Sequence, residues 1–392
     1  MKIGQDLTFT ELGGVSSDGI VTMARNGRQT GPQIGIVVNG EYYLIDDGTL
    51  ELVEDEDLPA PNSIFYLGGY FFFTHSSGRY SWTDLENGAE IDGLDYNTAS
   101  ANPDGLLIGK ARGRDAVLLG VRSTEIRTMN DGTGDDPLSV RSVLDYGCFA
   151  AGSAVSLNDT VMWASTNADG AFAGMRMLEG DTPREFGTDA INRIVARETP
   201  DNITGSTWVE DGRTHIAWSG DDWTWVYDLK TGLWHERSSN QTRWRASHVA
   251  QFGGNIVAGD AENAKLYRMS RDIFDDAGSE LVVTVQPPPL IAFPGRIEVS
   301  ELHLHALTGI GAATGDDHDI TPEVSMQWSN DGETWSTELR RGLGRRGAMR
   351  GRVIWNRLGT QPETGRTYRL MMSAKVARTL FSASWDGKVL PP

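Results

Sequence analysis

The 392-residue chain reads as an all-β protein, a β-propeller of about six blades followed by a C-terminal β-sandwich-like domain. Three observations predict this. Strand signals recur throughout, while apolar residues at helical spacing are nearly absent, apart from a turn or two around residues 187–196. Glycine is abundant at 46 against 15 prolines, which suits tight hairpins better than disordered linkers. A unit with a period in the forties repeats through the middle of the chain, as propeller blades do.

Residues 1–33 are read as an N-terminal arm. IGIVV (34–38), Asn39-Gly40 and EYYLI (41–45) then form a hairpin with a type I′ turn, because Asn-Gly accepts two positive φ angles. A second hairpin turns at Gly68-Gly69. From there the repeat is a turn, an apolar strand, a polar loop and a strand carrying Trp, Tyr or Met. Its copies begin at Gly69, Asp115, Asp159, Gly212 and Gly254, spaced by 46, 44, 53 and 42 residues. No such unit buries its own face, so neighbours must stack around a centre. The propeller is placed at residues 34–280, with a large β-sandwich as the alternative. QPPPL (286–290) then breaks any ladder, since its prolines lack N–H donors. Beyond it RIEVSELHLHAL (296–307) alternates strictly, so residues 281–392 are read as a platform or docking domain. The Gly- and Asp-rich stretch 308–319 is expected to be a mobile loop.

A hydrophobic fraction of 39% with 23% charged residues allows a real core. The single cysteine, Cys148, excludes an internal disulfide framework and reads as a small buried hydrophobe. No apolar run follows Lys2 and no 18 apolar residues run together, so neither a leader nor a membrane span is expected. Net charge is −19, unevenly spread: residues 1–100 carry −12 and residues 301–392 carry +2. An acidic front argues against a general nucleic-acid binder, which needs a basic footprint.

Candidate chemistry is sparse. Asp84/Asp92 and Asp221/Asp222 are carboxylate pairs of the kind glycoside hydrolysis needs, but nothing in context sets them apart. His303 and His305 share a strand face without an evident third ligand, and Asp316, Asp317, His318 and Asp319 lack the spacing of a calcium loop. No phosphate-binding glycine motif is present. The expectation is therefore no enzyme, no cofactor and no metal. SNDGETW (329–335) resembles an Asp-box hairpin, a folding device that also recurs in sialidase propellers. The strongest local oddity is residues 340–357, with Arg340, Arg341, Arg345, Arg346, Arg350, Arg352 and Arg357 and no acid. Such a cluster is either a solvated face or a site for acidic protein surface or phosphate.

Several stretches resemble a known family. WVYDLKTGLWHER (225–237), WRASH (244–248) and Gly259-Asp260 are similar to the middle of the packaged-DNA stabilisation proteins of short-tailed phages. So are WSNDGETWS (328–336), Leu343-Gly344, Gly347, Arg350, RVIW (352–355), Arg357 and Leu358-Gly359. ANPD (101–104) and LDYGCFA (144–150) have counterparts there too, with Asp145 in place of a glutamate. The resemblance spans residues 60–385. It implies a tail hub, or nozzle: a ring of identical subunits, six expected, under the portal–adaptor assembly of the virion, assembled in the host cytoplasm. Such a hub seals the DNA exit channel after packaging and conducts DNA without gripping it. Tail fibre, tailspike or tail-needle proteins are further partners to consider. On that reading Asp46, Asp47, Glu54, Asp55, Glu56 and Asp57 line or crown the channel, and the seven arginines dock onto the adaptor or a neighbouring subunit. A carbohydrate-directed propeller, lectin or glycosidase, is the competing reading; it predicts an aromatic-lined pocket with paired carboxylates.

Overall fold

The computed structural model describes every residue except 1, 4–8, 17–18, 30, 100–103, 131–135, 158, 264 and 392. It divides into two compact units, Met1–Leu266 and Tyr267–Pro392. Apart from two two-stranded ribbons, six antiparallel sheets follow one another among the described residues of the first unit. The first is Thr22–Arg25, Ile34–Val38, Glu41–Asp46 and Thr49–Leu52, so the segment read as an arm supplies that sheet's first strand. Ser63–Leu67, Tyr70–Thr74, Arg79–Trp82 and Tyr96–Thr98 make the second; Leu106–Arg112, Asp115–Gly120, Thr124–Met129 and Leu138–Leu144 make the third. In the fourth, Gly147–Cys148 and Val155–Ser156 both pair with Val161–Thr166, which continues to Phe172–Glu179 and Thr182–Glu185. Thr204–Glu210, Arg213–Ser219, Thr224–Asp228 and Leu233–Glu236 form the fifth. The sixth pairs Ala246–Phe252 with Asn255–Asp260.

Strand alternation explains how the sheets stack. Phe71 and Phe73 cluster with Val37, Tyr42 and Leu44 of the first sheet. Their neighbour Phe72 points the other way, to Leu106, Ala116 and Leu118 of the third. Val117 and Leu119 in turn meet Val161 and Trp163, while Met162 and Ala164 meet Ile216 and Trp218 of the fifth sheet. A strand buried on both faces must be apolar at every position. That is why YFFFT, AVLLG and VMWAS read as unbroken runs. The longest helix among the described residues, Asp189–Val195, is capped by Thr188 and lays Ile191 and Val195 into the last of these clusters.

The first strands of successive sheets, and Val155–Ser156 in the fourth, lie side by side and are laced together by hydroxyls. Ile64 N donates to Thr22 Oγ1 at 2.9 Å, Gly109 N to Ser63 Oγ at 2.9 Å, and Val249 N to Ser206 Oγ at 2.8 Å. Ser156 Oγ donates to the carbonyl of Ala111. Each bond satisfies an amide or carbonyl that its own sheet leaves unpaired on the inner edge.

The second unit packs two sheets over one core. Val283–Val285, Thr367–Met372, Glu323–Ser329 and Leu339–Gly342 form one; Val353–Gln361, Arg296–Ala306 and Leu380–Leu390 form the other. Trp355, Val324, Met326 and Leu343 are fully buried between them. Strict alternation along residues 296–307 does not hold. A register shift between Val299 and Glu301 resets it, so the core takes Ile297 and Val299, then Leu302 and Leu304. The 308–319 stretch is tied down rather than loose. Gly309 N bonds Leu343 O at 2.7 Å, Gly347 N bonds Gly309 O at 3.0 Å, and residues Asp317–Ile320 close a helical turn. No helix among the described residues is long and apolar enough to cross a membrane.

Candidate functional site

The seven arginines separate into two groups. Arg340 and Arg341 lie on the strand Leu339–Gly342 and have local partners. Arg340 pairs with Glu338 at 3.1 Å and lies 3.9 Å from Glu323, while Arg341 Nε donates to the carbonyl of Ile354 at 2.7 Å. Both bond within their own domain, and Glu338, the nearer acid to Arg340, lies just outside the segment that lacks any. Arg345, Arg346, Arg350, Arg352 and Arg357 are exposed. Arg345, Arg346 and Arg350 share a loop clamped by Ala348 N to Arg345 O at 2.9 Å and by Gly347 N to Gly309 O. Met349, 75% exposed, sits among them. Arginines around a protruding apolar side chain match the composition of protein-binding hot spots.

The six candidate channel acids do not form one patch. Asp46 and Asp47 sit at the turn into Thr49–Leu52, where Asp46 accepts from Gln33 Nε2 at 2.8 Å and lies 3.7 Å from Arg28. Glu54, Asp55, Glu56 and Asp57 follow the far end of that strand, on the opposite rim of the sheet. Asp55 accepts the amide of Asp57 at 2.9 Å.

An open cleft of the first unit is lined by Arg112, Arg114, Asp115, Thr128, Arg141 and Asp159. Arg112 bridges Asp115 at 2.8 Å and Asp181 at 2.9 Å, and Arg141 reaches the same two acids at 3.1 and 2.8 Å. Burial opposes ionisation of Asp115, but hydrogen bonds from Arg112 and Thr128 and the charge of Arg141 hold its pKa below the ordinary value. The lining is a cross-braced ion network, without the aromatic platform a glycan site needs.

Most of the motif residues serve folding. Asp104 caps the turn at 121–123, accepting from Arg122 N, Ser123 N and Ser123 Oγ at 2.6–3.0 Å; residues 101–103 of that motif lie outside the described residues. Cys148 is buried and donates to Ala150 O at 3.2 Å, and burial pushes its thiol up to about 12. Asp228 Oδ1 receives the amides of Lys230 and Thr231, and the turn closes on Gly232 at φ 70°. Tyr227, Trp234 and Trp218 gather around Phe186. Trp244 packs on Trp208, with Arg237 over both rings. Asp331 receives Thr334 N at 2.7 Å, then Ser329 Oγ and Glu333 N, which together hold its carboxyl well below the usual range. Beside that turn Arg369 stacks on Trp335 at 3.9 Å. His303 pairs with Glu301 at 2.8 Å and His305 packs against Phe381, so the two histidines have separate partners. Among the described residues no group of three His, Cys, Asp or Glu is placed to hold a metal.

No curated protein matches the chain. Similar solved structures include the computationally designed Ika8 protein, at 12% identity over 64% of this chain and 71% of that one. Another is the Dos1 propeller, at 10% over 64% and 72%. Both have a TM-score of 0.38, too low to bear on the argument. Two family models match instead. One is described as the β-propeller of bacteriophage P22 Gp10, over residues 1–274; the other is the β-sandwich of the same protein, over residues 289–387. With both parts of its fold accounted for, the chain belongs to the bacteriophage P22 Gp10 family of phage structural proteins.

Proposed function

We propose that this chain is the tail hub of a short-tailed phage, a ring of six copies docked beneath the portal–adaptor assembly. In this role it closes the DNA exit channel after packaging and conducts the genome during ejection, having assembled in the host cytoplasm. Family membership supports a structural tail protein. The ring is supported by one geometric observation, the lacing of the propeller's inner strands. Hydrogen bonds link those strands directly from one sheet to the next. A duplex, whose major groove alone is about 12 Å wide, has no passage through one propeller, so a conduit has to form between copies.

In this ring the exposed acids of the first unit face the DNA, which slides because like charges repel. Arg345, Arg346, Arg350 and Arg352, with Met349 among them, meet the acidic surface of the adaptor ring or a neighbouring subunit. Arg345→Glu/Arg346→Glu should abolish docking onto adaptor-bearing heads in a reconstitution followed by negative-stain imaging. Heads that acquire the doubly substituted protein as readily as the wild type would end this assignment.

A further inference from the structure

Two loops of the first unit pack side by side and carry charge of one sign. Leu58 and Ile91 both lie against the cluster shared by the first two sheets, and Gly93 comes so close to Asp57 that a Cβ there would meet Asp57 Oδ1 at 2.4 Å. Residues 54–58 and 90–95 together hold seven acids and no base. Arg79, alongside, is turned onto the ring of Tyr96 at 3.4 Å. The turn at the tip is fixed from within, since Asp92 accepts Leu94 N through Oδ1 at 2.9 Å and Asp95 N through its carbonyl at 2.8 Å. It holds Leu94 out into water, 83% exposed, more than any other large apolar side chain among the described residues, with Tyr96 44% exposed beside it.

The arginine loop of the second unit is the counterpart of this surface. Residues 344–352 hold four bases and no acid, and Met349 stands out among them as Leu94 does among the acids. Each surface has an apolar side chain inside charges of one sign, and the two signs are opposite. We propose that the 345–350 loop of one copy seats on the 54–58 and 90–95 loops of a neighbouring copy, with Met349 against Leu94 and the arginines facing Glu54, Glu56 and Asp92. An apolar centre within a polar rim is the ordinary anatomy of an interface, and opposed potentials steer the encounter and fix its register. Because the two surfaces differ, the contact is head-to-tail and repeats from copy to copy, which is how a closed ring is built. The inference rests on the tail-hub reading, which supplies the ring, and it makes the neighbouring copy the partner of the loop. Of the six candidate channel acids it leaves Asp46 and Asp47, on the opposite rim of their sheet, to face the channel.

Disulfide trapping between separate full-length chains tests it. Leu94→Cys and Met349→Cys chains, mixed at about 100 μM, above the Kd of most specific complexes, should join to each other under mild oxidation, and should do so again on adaptor-bearing heads. Cys148 is buried and does not compete. Glu54→Arg/Glu56→Arg in the first chain should slow the joining by about tenfold or more, because like charges then face one another. Adding Arg345→Glu/Arg346→Glu to the second chain should restore it, and restoration also shows that both variants fold. Chains that never join, in solution or on heads, would overturn the proposal. So would joining that ignores the charge reversal, or a doubly reversed pair that stays slow. A wild type that fails to load onto heads would instead refute the tail hub, with the solution mixture still deciding this contact.

Discussion

Gly147 occupies a position where a Cβ would meet the backbone of Val121 and Arg122 at 2.4 Å. Its carbonyl also accepts Trp163 Nε1 at 2.9 Å, so one residue fixes both the approach of two sheets and the seat of a fully buried indole. Backbone cannot retreat as a side-chain tip can, so Gly147→Ala should destabilise the first unit by about 2–3 kcal/mol. Gly14→Ala, with nothing within 4 Å, should leave the urea midpoint unchanged. Equal midpoints for Gly147→Ala and wild type would show that the sheets give way. Residues of this kind divide what sequence reading can reach. Asn39-Gly40 names its own turn, and the structure has both at positive φ, 51° and 79°. The Asp331 turn is equally local, with all its donors within five residues. Nothing near Gly147 says that the 121–122 backbone will arrive against it. Only its place in a motif shared with a family marked it.

Among elements, the second strand of each sheet was the most legible because burial on both faces leaves an unbroken apolar run. The turns at Gly69, Gly212 and Gly254 that set the repeat sit between each sheet's first and second strands. Inner strands were harder to see. Thr22–Arg25 is four residues long, and only one of its side chains is buried, so the arm assignment hid it. Outer strands such as Thr182–Glu185 are exposed and polar, and carry no alternation to find. A buried histidine has a consequence for pH. His75 is buried, with Nε2 at 2.8 Å from Ser81 Oγ, and burial lowers its pKa. Its folded value lies below the unfolded value of about 6.5. Between the folded and unfolded values the unfolded chain holds more protons, so stability rises with pH across that window. It is complete above about pH 6.5 and is lost as the pH falls toward the depressed value. Urea unfolding should therefore give a lower midpoint at pH 5 than at pH 7.5, by less in His75→Gln than in the wild type. The same acid loss in both proteins would place its origin elsewhere.

At the scale of the whole molecule, Tyr267–Pro392 carries 15 acids and 15 bases, so the entire net charge of −19 lies on Met1–Leu266. The sequence indicated an acidic front and a faintly basic back, and the division into units sharpens this into an acidic propeller and a neutral sandwich. Binding to duplex DNA gains most of its free energy from counterions released as Lys and Arg neutralise phosphates. The propeller offers the opposite sign over its surface, and burying its carboxylates against phosphates gains nothing. The exposed arginines at 345–357 are the densest cation cluster at which a phosphate contact can form, and their number is too small to outweigh repulsion from the rest. Anisotropy titration of a labelled duplex at about 150 mM salt should therefore give no binding below about 10⁻⁴ M, the weak end of ordinary non-specific affinity. Arg345→Glu/Arg346→Glu should leave that result unchanged while it abolishes docking, because on the proposed function the arginines meet a protein surface. Micromolar duplex binding that the same double substitution removes would assign the loop to DNA and refute the acidic conduit.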